Sequence, residues 1–367
     1  MERRHEFIML KRVMAFASVL AIAGLVLAGC GQKQQASQDK AADKGQAGGS
    51  VIELKFHHHD PPTSDFARNG VEQWAKMIEE RTNGKVKITI YPAETLGKAK
   101  DAYEMVTNGI ADIAWGFVGF FPGRFPMTEV IDLPMLGIPS AEVGSKVLWD
   151  LYANTPYLKG EFPGVKVLAL HCNAVNPIGT SKKAVRTLED LKGLKVRTPA
   201  GPPTEFMKQA GALPVLIPAP DIFENMQKGT IDGYSIDWQG IKGFRLPEVS
   251  NYITDVNLFI APFWIIMNEQ KWNSLPADVQ KAIEEVSGQF AAQHFGKVFD
   301  ESEKQARARV KELNKEIIPL TPEEQQRWVS VAQKVWDKWV NDMEASKKPA
   351  KTVLEETQKL IKKYTGQ

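Results

Sequence analysis

"LKGLKVRTPAGPPTEFMKQAG", residues 191–211, holds a short strand, a turn and a helix in one run. "LKVR" predicts the strand, Thr198-Pro199 breaks it, and a proline-led helix carrying Phe206 and Met207 stops at Gly211. "LPVLI", residues 213–217, returns as a strand. Strand, helix, strand is the repeating unit of a parallel sheet. Arg197 falls at the C-terminal end of the first strand, where open α/β sheets place their ligand crevice. Its guanidinium is a rigid, permanently charged fork that matches a carboxylate. From these residues alone two partners stay open: an anionic ligand, or a structural acid such as Glu205 or Asp221.

The same rhythm runs outward in both directions. "VIELKF" (51–56) is strand-like, and Ala67, Val71, Trp74, Ala75 and Ile78 then mark one face of a helix that Asn83-Gly84 stops. Val86, Ile88 and Ile90 alternate as a second strand, a helix over about 98–107 ends at Asn108-Gly109, and "DIAWGF" is a third, buried strand. "VKVLAL" opens a second series, Thr187 caps a short helix ended by Gly193, and Asp221-x-x-Glu224 reads as a capping box for the helix after "LPVLI". "GIADIAW" and "GTIDGYS" echo one another, each ending a helix in Gly-x-x-Asp before a short strand. The expected fold is α/β with largely parallel pairing, in two lobes: 51–172 plus about 260–300, and 173–259 plus about 301–367. Two matched lobes imply a cleft between them. Residues 276–314 contain no proline after Pro276 and would span about 60 Å as one helix, long enough to brace both lobes. Two ordinary helices broken near Gly288 or Gly296 are the other reading.

The N-terminal part stands apart from this pattern. Arg3, Arg4, Lys11 and Arg12 precede an apolar run over 13–27, shorter than the ~20 residues of a membrane span, and "LAGC" closes it. Residues 1–29 therefore read as an export signal. "LAGC" resembles the lipobox of bacterial lipoproteins, which implies lipidation of Cys30 and a membrane anchor through that lipid. Residues 31–50 have no aromatic and no apolar period, the composition of a flexible tether. The whole chain carries a net charge of +2 and the leader to Gly29 accounts for it, so the remainder is neutral and nothing suggests nucleic acid.

Catalytic spacing is scarce. No phosphate loop, dinucleotide fingerprint, H-E-x-x-H or G-x-S-x-G elbow occurs, so neither a catalytic residue, a cofactor nor a metal is assigned. His57, His58 and His59 alternate faces if extended and cannot close on one metal without a bend. They read as a strand end entering the cleft. Cys172, the one cysteine besides Cys30, reads as a small buried residue.

"DLKGLKVRTP…EFMKQAGALPVLIPAPDIFENMQKGTIDG" and "WNSLPADVQKAIEEV" resemble stretches of the solute-binding proteins of tripartite ATP-independent periplasmic (TRAP) transporters, a likeness that covers residues 51–367. The resemblance implies the two-lobe "Venus flytrap" architecture of periplasmic binding proteins, with a long helix spanning both lobes. It further implies capture of an organic acid, delivery to small and large membrane subunits, and a carboxylate-binding role for Arg197. Where many relatives carry "DGQENP", this chain has "DGYSIDWQG": Ile236 stands at the asparagine, so Asp237 or Trp238 must line the cleft differently. Trp115, Phe117, Phe120, Phe121, Tyr234, Trp238, Phe263 and Trp264 offer stacking surface, some of it core, and His58 and Glu94 complete the candidate lining. The guest expected is a monocarboxylate with an aromatic or bulky apolar body. An ABC-importer binding lipoprotein, an exported enzyme acting on an acid and a sensor's ligand-presenting protein share most of these features.

Overall fold

The computed structural model describes residues 51–366; the leader (1–29), Cys30 and the tether through residue 50 lie outside the described residues. The strands are β1 (Ile52–His57), β2 (Val86–Tyr91), β3 (Ile113–Phe117), β4 (Val165–Cys172), β5 (Ile178–Thr180), β6 (Lys195–Thr198), β7 (Leu213–Leu216), β8 (Gly233–Ser235), β9 (Tyr252–Asp255), β10 (Pro262–Asn268) and β11 (Glu316–Pro319). The helices are α1 (Gln73–Arg81), α2 (Ala102–Thr107), α3 (Ala141–Asn154), α4 (Pro202–Gln209), α5 (Ile222–Lys228), α6 (Trp238–Gly243), α7 (Glu269–Ser274), α8 (Ala277–Glu285), α9 (Gly288–Glu312), α10 (Pro322–Ala345) and α11 (Ala350–Thr365). Among the described residues no helix is long and apolar enough to cross a membrane.

The strands form two sheets, in the orders β2-β1-β3-β10-β4 and β11-β9-β5-β8-β6-β7. Pairing is parallel among β2, β1 and β3, and again among β7, β6 and β8. Each sheet then takes one strand that runs antiparallel to both neighbours, β10 in the first and β5 in the second. Every residue of β3 and β10 is buried, as befits central strands covered on both faces.

The sequence echo is one structural device used twice. Asp112 donates its backbone N–H to the carbonyl of Lys55 (3.1 Å) and accepts the Lys55 N–H on Oδ2 (2.8 Å). Asp232 does the same to Lys195, at 2.8 Å for both bonds. Gly109 and Gly229 sit at φ +72° and +69°, a left-handed turn that glycine adopts without a Cβ penalty. Each aspartate thus brackets the adjacent parallel strand. Counting from the brackets, His57 of β1 and Arg197 of β6 occupy equivalent places.

The long C-terminal segment combines both expectations. It breaks between α8 and α9, where Trp74 Nε1 donates to the freed carbonyl of Val286 (2.7 Å), yet it runs unbroken through Gly296 for the 25 residues of α9. α9 packs on α3 and β4 beside the first sheet and on α6 and β11 beside the second. Arg307 of α9 grips Asp255 at the end of β9 through two bonds of 2.7 and 2.8 Å. The Thr187 capping box forms with Asp190 as its third residue, but the one expected at Asp221 does not. Asp221 already has helical backbone angles, because the Ala219–Asp221 turn leads straight into α5, so its side chain is not placed to cap.

Candidate ligand cavity

The chain passes from the first sheet to the second after β4 and returns before β10. Residues 173–177 and 256–261 run side by side as they cross. Asn173 N–H donates to Ala261 (3.1 Å) and its Oδ1 accepts the Ala261 N–H (2.7 Å), while Asn176 donates its N–H (3.0 Å) and Nδ2 (3.1 Å) to Phe259. Beside this paired crossing, the C-terminal ends of β1 and β3 meet those of β6 and β8 around a cavity with about 420 Å³ of space including its mouth.

Arg197 is 3% exposed and is steered by two backbone carbonyls, Nε donating to Ile217 (2.8 Å) and Nη1 to Ser235 (2.9 Å). Neither Glu205 nor Asp221 pairs with it; Glu205 accepts from Gln209 instead. Nη2 makes no hydrogen bond to the described residues. Burial lowers the Arg197 pKa to about 10, with the nearby Asp237 charge opposing, so the guanidinium is charged at neutral pH.

Aromatic rings form the facing wall. Trp115 stacks on Phe263 with centroids 4.7 Å apart and planes within 5°, and on His59 at 4.4 Å; Phe117 stacks on Phe263 at 4.9 Å, and Phe120 meets Phe117 edge-on at 5.0 Å. The indole is held in plane by a buried hydrogen bond from Nε1 to His171 Nε2 (2.8 Å). Burial pushes the His171 pKa down to about 3, which keeps the ring neutral and Nε2 able to accept.

Two acids line the same space. Asp60 accepts from Gln239 Nε2 (2.8 Å); Asp237 accepts from Gly240 N–H and from Asn173 Nδ2, both at 3.1 Å. Burial raises their pKa values to about 6 and about 7. His59, buried beside Asp60, is held well below its ordinary pKa by desolvation.

Of the predicted site residues, Arg197, Trp115, Phe117, Asp237 and Phe263 come together in the lining, with Phe120. Four others stand elsewhere. His58 lies on the apolar face shared with Phe56, against Phe66, whereas His59 takes the wall position. Glu94 closes a loop by accepting from Ala99 N–H and Lys98. Tyr234 is core, its ring over Gly179 and its hydroxyl bonded to Ser250 (2.9 Å), and Trp238 is core beneath the Arg307 guanidinium, 4.1 Å from its ring. Phe121 and Trp264 also pack inside, the latter over Gly116. Cys172 is buried and unpaired in a disulfide. Asp60, Asn173, Asn176, Gln239, Phe259 and Phe299 line the cavity without having been predicted to do so, and His59, expected only as part of a strand end entering the cleft, lines it in place of His58. For His59 the signal was present: alternation from Leu54 and Phe56 puts His58, not His59, on the core face. Among the described residues no group of three His, Cys, Asp or Glu could hold a metal ion.

Residues 57–342 match the family model described as bacterial extracellular solute-binding protein, family 7 (DctP). The C4-dicarboxylate-binding periplasmic protein DctP of Vibrio cholerae is 28% identical over 311 residues, 80% of this chain and 88% of that protein. A TRAP solute-binding protein from Rhodoferax ferrireducens T118, solved with copurified benzoate, is 29% identical and superposes with a TM-score of 0.83, covering 86% of this chain and 99% of the other. A marine-metagenome TRAP solute-binding protein specific for aromatic acid ligands, solved with metahydroxyphenylacetate, is 30% identical with a TM-score of 0.82, covering 85% and 99%. The two-lobe α/β architecture of these structures is shared by this chain.

Proposed function

Because the chain belongs to family 7 of the bacterial extracellular solute-binding proteins, we propose that it captures an organic acid between its lobes for a TRAP transporter, with Arg197 on the carboxylate. The observation that carries this reading is a buried guanidinium that forms no ion pair with an acid among the described residues and shares a cavity with a stacked aromatic wall. A carboxylate arriving there replaces its hydration with charge-assisted bonds, and the rings cover an aromatic or bulky apolar body. Benzoate and metahydroxyphenylacetate in the related structures support that class of guest.

In this reading the lobes are 51–172 with about 260–300, and 173–259 with about 301–367; the paired crossing at 173–177 and 256–261 is the hinge. Closure removes water and strengthens the Arg197 contact. The cycle is capture and delivery without turnover, so the acid reaches the small and large membrane subunits unchanged. Export through residues 1–29 and lipidation at Cys30 would keep the protein at the membrane face outside the cytoplasm, on a tether of about 20 residues reaching a few tens of Å.

Calorimetric titration of the purified protein with a panel of aromatic and aliphatic carboxylates and their uncharged amides tests the reading. Saturable binding of a carboxylate, and its recovery unaltered afterwards, is expected. Chemical conversion of the bound acid, or a panel in which only uncharged compounds bind, would overturn it.

A further inference from the structure

Carboxylate capture leaves two acids in the cavity unexplained. Asp60 and Asp237 are 2% and 4% exposed, and both line the space that Arg197 lines. Their hydrogen bonds come from neutral donors: Gln239 for Asp60, Gly240 N–H and Asn173 for Asp237. Among the described residues no lysine or arginine forms an ion pair with either, and the neighbouring His59, 3.9 Å from Asp60, is held neutral by burial. Arg197, itself 3% exposed, leaves Nη2 without a partner in the described structure. The cavity therefore holds one fixed cation and two acids.

Charge decides what such a space can take. With both acids ionised the cavity carries −1, and a simple carboxylate would take it to −2. With one acid protonated it carries 0, and the same guest would take it to −1. A guest that brings a protonated amine as well as a carboxylate leaves either total unchanged. Unpaired charge is costly away from water, so the doubly charged guest is favoured whenever at least one of the two acids is ionised.

Resting on the carboxylate reading above, we infer that Asp60 and Asp237 form a cation subsite, and that the guest is an aromatic zwitterion whose amine binds these acids while its carboxylate binds Arg197. This subsite follows from Asp237, one place beyond the Ile236 substitution noted in the sequence.

The test is calorimetric titration of the purified chain with matched pairs: phenylalanine against 3-phenylpropionate, tryptophan against indole-3-propionate, and 4-(aminomethyl)benzoate against 4-methylbenzoate, using both enantiomers of the amino acids. At least one amine-bearing member is expected to bind tenfold or more tightly than its counterpart, and Asp237→Asn to shrink that ratio below about threefold. The wild-type ratio needs no variant to fold, and a melting curve checks that Asp237→Asn does. Amine-free acids binding as tightly in every pair would overturn the cation subsite while leaving the carboxylate reading intact, provided Arg197→Ala abolishes their binding. Tight binding of amines that lack a carboxylate, unaffected by Arg197→Ala, would overturn the carboxylate reading, and this inference with it.

Discussion

Gln239 donates from Nε2 to Oδ2 of Asp60 at 2.8 Å, joining α6 of the second sheet's layer to the loop that follows β1 of the first. Lys242 of the same helix reaches Asp65 at 2.8 Å, and Ala200 N–H reaches the carbonyl of Gly119 at 3.4 Å. These bonds link the two sides of the cavity. Replacing Gln239 by leucine leaves a buried carboxylate short of a donor, at about 1.5–3 kcal/mol for a bond to a charged group. Ligand release should quicken by about tenfold or more with little change in association, and stopped-flow displacement measures both. Small-angle scattering should show the saturated variant more open than the saturated parent.

Arg197→Ala should lower carboxylate affinity by about two to three and a half decades, from a cost of roughly 3–5 kcal/mol for stranding one partner of a buried charge pair. Arg197→Lys should recover only part of it. An ammonium keeps the charge but lacks the planar fork that bonds Ile217 and Ser235 while presenting a face to the guest. Titration calorimetry of the three proteins with one acid gives the order expected.

Asp237 makes the ligand-free protein pH-sensitive in a defined direction. Burial raises its pKa from 3.8 to about 7. Below 3.8 the acid is protonated in both folded and unfolded chains and costs nothing. Between 3.8 and 7 the unfolded chain releases the proton more readily, so this residue's contribution becomes less favourable as pH rises and levels off above 7. Asp237→Asn should therefore match the parent's stability near pH 4, and gain on it through pH 7 by an amount on the order of a few kcal/mol, read from denaturant unfolding at each pH. A difference constant from pH 4 to 8 would contradict the buried, ionising acid.

Gly296 tests the brace formed by α9. A Cβ there would lie 2.7 Å from the Glu142 Cα and 2.9 Å from the Ala141 carbonyl oxygen, both backbone atoms of α3 that cannot swing aside. Alanine is the better helix former by about 1 kcal/mol, yet overpacking costs about 1–3 kcal/mol. Because backbone must move, Gly296→Ala should lower the urea midpoint. A rise in that midpoint would mean that α9 is free to shift away from α3.

Much of this was legible in the residues themselves. The alternation of Val86 and Ile88, the proline-led α4 and the Gly-x-x-Asp endings report local backbone preference and one-sided burial, and both act over a few neighbouring residues. Arg197 could be located for the same reason, since a charged residue at a parallel strand's C-terminal end is marked by position alone. The aromatic wall was only half legible. Phe117 and Phe121 have the same composition and similar burial, yet one faces the cavity and the other packs on Trp264, and no periodic signal in an irregular 118–121 turn separates them.

The amino-acid sequence by itself determined the strand and helix runs over about 51–117 and 165–235, the repeated α/β unit and the place of the guanidinium, because hydrogen-bonding geometry and apolar period are properties of short segments. The antiparallel insertions of β5 and β10, the Asn173–Asp237 bond across 64 residues and the meeting of Asp60 with Gln239 across 179 were decided only by tertiary structure. Those contacts join residues whose separation along the chain carries no periodic trace; they exist because two sheets crossed by the same paired segments bring their strand ends to one cavity.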